Sequence, residues 1–115
     1  MPSTTGYKKW DIVLVSFPFT DFTTVKRRPA LIVSPDNFNS GQDVTIAFIT
    51  SQMGSLARDG DYHLRFWKEA GLPKESMVRM KFATIDKSII VKKFGSVKNE
   101  DRAEIENIVV SFFTS

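Results

Sequence analysis

The chain has 115 residues and a mass of 13.0 kDa, 42% of it hydrophobic with ten Phe: enough for one compact domain over 1–115, too little for a separate cofactor module. It has no Cys, which excludes disulfides, thiolate metal sites and a thiol nucleophile, and fits a reducing cytoplasm. The net charge of +3 hides an asymmetry: residues 1–98 carry 15 Lys/Arg against 9 Asp/Glu, and residues 99–115 carry one Arg against four acids. A basic body of this kind suits a polyanion. The first nine residues lack the apolar run of a signal peptide or membrane span, so no membrane role is expected.

In chain order, Asp11 to Phe17 is apolar on both faces and β-branched, which predicts a strand buried on both sides. Pro18 lacks a ladder donor, so 17–24 reads as a loop. Ala30 to Ser34 predicts a second strand between Pro29 and Pro35, and 35–41 is turn chemistry. Val44 to Ile49 predicts a third strand, followed by a loop over Ser51–Gly60. Asp61 to Phe66 reads as a short strand, and Phe66 to Ala70 as one helical turn stopped by Gly71. Ser76 to Phe82 sets Met77, Arg79 and Lys81 against Val78, Met80 and Phe82, the alternation of a half-buried strand. Ser88 to Phe94 predicts another. Asn99 then opens a helix as its N-cap, with Glu100 and Asp101 at the positive end of the dipole. Ile105, Ile108, Val109 and Phe112 form its apolar stripe. The expected fold is mainly β with one C-terminal helix, a small, strongly bent sheet or barrel.

Two stretches carry chemistry. Lys26-Arg27-Arg28 runs as a cationic loop into the second strand, and the third strand ends in Thr50-Ser51-Gln52. If those strand ends are neighbours, a guanidinium and a hydroxyl converge on one surface, the minimum for gripping a phosphodiester. The single His63 excludes a two-histidine ribonuclease arrangement and reads as a strand surface residue. Asp59 and Asp61 flank Gly60 without a His partner, so no metal site is expected. Phe19 and Phe22 lie in a polar loop, where they can stack on bases or insert into the core. No phosphate-cradling Gly motif or nucleophile elbow is present.

Asp-Ile-Val-Leu-Val at 11–15, Phe-Pro-Phe-Thr-Asp at 17–21, Lys-Arg-Arg-Pro-Ala-Leu-Ile-Val-Ser at 26–34 and Ile-Thr-Ser-Gln at 49–52 follow one another in order. Ala-Gly-Leu-Pro-Lys-Glu-Ser at 70–76, Val-Arg at 78–79 and Thr-Ile-Asp-Lys at 84–87 continue the series. Together they resemble the MazF/PemK toxins of type II toxin–antitoxin systems, over nearly the whole chain. The resemblance implies a small SH3-like barrel of the MazF/PemK/CcdB type. It implies a homodimeric, metal-independent and cofactor-free cytoplasmic endoribonuclease, acting on single-stranded RNA and inhibited by a cognate antitoxin. Its catalytic residues fall on Arg28 and Thr50, and a further active-site Arg on Arg79. Lys26, Arg27, Ser51, Gln52, Arg79, Lys81 and Phe19 are the expected RNA contacts. The chain departs from the pattern twice: Trp10 stands where members usually have Gly, and Lys81 where some carry Asp. An alternative reading is a non-enzymatic toxin or binding module on the same fold, such as a gyrase poison.

Overall fold

The structure, a computed structural model, describes residues 6–18, 25–52 and 58–115. Its elements are β1 (Asp11–Pro18), β2 (Val25–Ile32), a four-residue helix α1 (Asp36–Asn39), β3 (Asp43–Thr50), β4 (Tyr62–His63), β5 (Met77–Asp86), β6 (Ile90–Ser96) and α2 (Asn99–Thr114). The strands form one antiparallel sheet in the order β4-β5-β3-β2-β1-β6, curled into a half-barrel. No helix among the described residues is long and apolar enough to cross a membrane.

Strands that are apolar on both faces need two cores, and the sheet supplies them. Ile12, Leu31, Ala47, Ile49, Leu64 and Val78 pack with Ile105 of α2 on one side. Val13, Val15, Ala30, Ile32, Val44, Ile46 and Ile85 pack on the other. Alternate residues of β1, β2 and β3 thus serve opposite cores, as a pleat requires.

Several boundaries differ from the sequence reading. β2 begins at Val25, so Lys26, Arg27 and Arg28 lie within a strand, opposite Phe17, Ser16 and Val15 of β1. Pro29 is tolerated there because β3 partners begin only at Ala30, so its missing N–H interrupts no β2–β3 ladder. The expected strand at 61–66 shrinks to Tyr62–His63, and Leu64 is buried just beyond it. β5 runs on to Asp86, and a register shift opposite Phe48 breaks the simple alternation, so Met77 is buried beside Val78. Asn99 is the first helical residue, and the extended Lys98 precedes it as cap. Of the expected stripe, only Ile105 is fully buried; Ile108 and Val109 are half-buried, and Phe112 is 50% exposed. Phe82 draws Phe112 and Phe113 to ring-centroid distances of 5.6 and 5.0 Å.

Buried polar groups fix how these pieces meet. Asp101 is wholly buried and accepts bonds from the Tyr62 hydroxyl (2.6 Å) and the amides of Arg65 (3.1 Å) and Phe66 (2.8 Å). It thereby ties α2 to the segment after β4. Burial, then the bond to Asp101, pushes the Tyr62 hydroxyl above its ordinary pKa. Trp10 stands at φ 78°, the left-handed region that glycine enters without strain, yet its ring lies in the core beneath α2. Trp10 thus combines a left-handed backbone with a buried indole.

Candidate nucleic-acid interface

Strand register brings the two chemical stretches together. Ala30 pairs with Phe48, Leu31 with Ala47 and Ile32 with Ile46. The pairing ends at Ala30–Phe48, two residues short of both Arg28 on β2 and Thr50 on β3. Beyond Ala30 the ladder is not continued, and a recess of about 270 Å³ opens at this end of the sheet. Arg28, Phe48, Ile49, Thr50, Gln52, Arg58, Arg79 and Lys81 line it. Four cations and a hydroxyl therefore converge on one concavity.

The hydroxyl is oriented. Thr50 Oγ1 accepts the Gln52 amide N–H at 3.1 Å, which leaves its own O–H to donate to a ligand oxygen. The register shift in β5 accounts for the opposite wall. Between the pairs Ala47–Phe82 and Ile49–Val78, β5 holds extra residues, and this distortion presents Arg79 and Lys81 to the recess. Lys81 Nζ sits 5.1 Å over the Phe48 ring, which also stacks on Phe17 with centroids 5.4 Å apart. Phe48 thus lines the recess, backed by Phe17, and holds the ammonium by a cation–π contact. Arg79 Nη2 lies 3.3 Å from Asp61 Oδ2.

Among the expected site residues, the structure groups Arg28, Thr50, Gln52, Arg79 and Lys81 around the recess. Lys26, Arg27 and Ser51 are exposed beside it and do not belong to its described lining. Phe19 and Phe22 lie outside the described residues. His63 is on β4, 3.2 Å from Glu75, away from these cations. Asp61 is occupied by the Arg58 amide and by Arg79, and Asp59 is exposed. Sequence reasoning missed Phe48 and Arg58. Phe48 was recoverable, since it lies two residues from Thr50 on the same strand face; Arg58 was not, because its placement depends on a turn closed by Asp61. A larger cleft of about 480 Å³ runs between α2 and residues 59–60, but it is lined by Glu104, Asn107, Ile108 and Phe112, and carries no cation.

The chain matches the family of PemK-like, MazF-like toxins of type II toxin–antitoxin systems over residues 8–113. No curated protein matches it in sequence. Among solved structures it resembles MazE–MazF (Form-III) from Deinococcus radiodurans, with a TM-score of 0.76 and 17% identity, over 95% of this chain and 97% of that one. An endoribonuclease in complex with its cognate antitoxin from a mycobacterial species gives a TM-score of 0.75 at 14% identity, over 96% and 95% of the two chains. The Mycobacterium tuberculosis toxin MazF-mt6 gives 0.70 at 19% identity, over 90% and 95%. At these identities the likeness to solved structures is one of fold, whereas the family match spans nearly the whole chain. The protein is a member of the PemK/MazF-like toxin family of type II toxin–antitoxin systems.

Proposed function

We propose that this protein is an endoribonuclease toxin that cuts single-stranded RNA by attack of the RNA's own 2′-hydroxyl on the adjacent phosphorus. The observation that supports the reading is that Arg28 and Thr50 line one cationic recess. In such a reaction the 2′-oxygen–phosphorus bond forms as the 2′-hydroxyl gives its proton to water, and the pentacoordinate phosphorus gathers negative charge. The phosphorus–5′-oxygen bond breaks as the departing oxygen takes up a proton from water. The planar guanidinium of Arg28 matches two phosphate oxygens and balances that charge. The Thr50 hydroxyl, whose oxygen accepts the Gln52 backbone N–H, donates its O–H to a phosphate oxygen or to the leaving oxygen. Lys81 and Gln52 hold the flanking strand, and Lys26, Arg27 and Ser51 extend the basic surface along its path; Phe19 remains a proposed base contact. Selectivity for particular bases belongs to the same surface. The reaction as drawn uses no metal or other cofactor.

The family membership, and a structural neighbour in complex with its cognate antitoxin, support a cognate antitoxin as partner; the reading has both act in the cytoplasm. An acidic, extended segment would compete with RNA for the basic recess. A homodimer also belongs to this reading: Val110, Phe112 and Phe113 are 50–64% exposed on α2, an apolar surface that a second copy would cover. Incubating purified protein with a long single-stranded RNA, alongside Arg28→Ala, tests the activity. Discrete cuts by the wild type that are missing with the variant are expected; no cuts, or equal cuts by both, would count against it.

A further inference from the structure

A nearly buried carboxylate, Asp61, stands behind the recess, paired with one of the cations that line it, Arg79. Asp61 has a side chain only 5% exposed, and Arg79, its ion-pair partner, is 14% exposed. Asp61 Oδ2 serves two donors at once: the Arg58 backbone N–H at 2.8 Å and Arg79 Nη2 at 3.3 Å. Asp61 returns its own N–H to the Arg58 carbonyl at 3.0 Å, closing the turn 58–61. Gly60 occupies that turn at φ 86°, and a Cβ there would stand 2.6 Å from Met80 Cγ on β5. The turn is therefore pressed against β5 and bonded to it through one oxygen. Arg58, exposed at its start, is one of the residues that line the recess.

From this geometry we infer that Asp61 and Arg79 are positioning residues, and that Arg58 is a further RNA-contacting residue, binding a phosphate beside the scissile one. This rests on the RNA reading above. The charge of Arg79 is balanced by a nearly buried carboxylate, so its guanidinium braces the turn from β5. Arg58 enters that arrangement through its backbone, and it lines the same concavity as Arg28 and Thr50. Fixing the backbone of a long cationic side chain reduces the ordering cost of gripping phosphate.

The two possible roles of Asp61 predict opposite signs. If it only offsets charge, Asp61→Asn makes the recess more cationic and tightens RNA. If it positions Arg58, the same change weakens RNA. Affinity is read on a single-stranded RNA with every 2′-hydroxyl methylated, which cannot be cut, across a salt series; cleavage is read separately on unmodified RNA. Arg58→Ala should weaken binding about fivefold at moderate salt and reduce the salt slope by about one. Asp61→Asn should weaken it by a similar factor, raise KM with little change in kcat, and add nothing further in the Arg58→Ala background. Tighter binding by Asp61→Asn, or effects that multiply in the double variant, would overturn the inference. Arg58→Ala, an exposed site that leaves the fold alone, decides the matter if Asp61→Asn fails to fold: unchanged affinity and slope would also overturn it. Wild-type protein that binds but does not cut would refute the nuclease reading and leave the binding comparison to judge the inference.

Discussion

At the residue scale, the proposed chemistry depends on two side chains that contribute little to the fold. Arg28 is half-buried within β2 and makes no ion pair among the described residues. Arg28→Ala is therefore expected to abolish most cleavage while leaving the thermal midpoint nearly unchanged; a retained rate would mean that another group carries the charge. Thr50→Val keeps the strand shape and removes the donor. It should lower kcat by about 100-fold with KM altered far less, as for loss of one oriented donor in a transition state. Trp10 is a different case, where two effects oppose. Trp10→Gly relieves about 1–2 kcal/mol of left-handed strain but removes a buried indole worth about 3–5 kcal/mol. Packing wins, so the variant should be less stable by about 2 kcal/mol in denaturant melts. A gain in stability would show that the indole is poorly packed.

At the scale of elements, α2 is held as much by Asp101 as by its apolar stripe. Asp101→Ala leaves the Tyr62 hydroxyl and two amides without an acceptor, and should cost about 3 kcal/mol in urea unfolding. Tyr62 adds a pH signature. Its folded pKa is raised, so its contribution is complete below the ordinary tyrosine value of about 10 and fades as pH climbs above it. Tyr62→Phe should flatten that alkaline loss, and an unchanged alkaline profile would place its origin elsewhere. The elements themselves were legible to different degrees. Strands such as Ile12–Val15 and Val44–Ile49 announce themselves through β-branched runs, and the C-terminal helix through its spacing. The charged start of β2 did not, because Lys26, Arg27 and Arg28 are unlike a buried strand and take their order from pairing with β1. The dual role of Asp101 was equally hidden: a first-turn acid reads as a dipole partner, whereas its bonds reach residues 35 to 39 positions away.

At the scale of the whole molecule, Arg28 and Thr50 were legible in the sequence as a candidate pair, and β2 and β3, neighbours in the sheet, bring both to the lining of one recess. The opposite wall was not legible, since it depends on the irregular pairing of β5 and on a turn closed by Asp61. The exposed Val110, Phe112 and Phe113 lead to an assembly prediction. Light scattering at micromolar concentration should give a dimer, and Phe113→Lys should shift it toward monomer; wild type that is monomeric throughout would remove the homodimer from the account. The central claim is that RNA supplies its own nucleophile, with Arg28 and Thr50 acting on the phosphate. The most direct measurement is the end chemistry of RNA cut in the presence of a chelator, compared with a substrate carrying 2′-deoxyribose at the cleavage site. The account predicts 2′,3′-cyclic phosphate and 5′-hydroxyl ends, and no cleavage of the deoxy substrate although it still binds through its phosphates. Ends bearing a 5′-phosphate, or efficient cutting of the deoxy substrate, would contradict it.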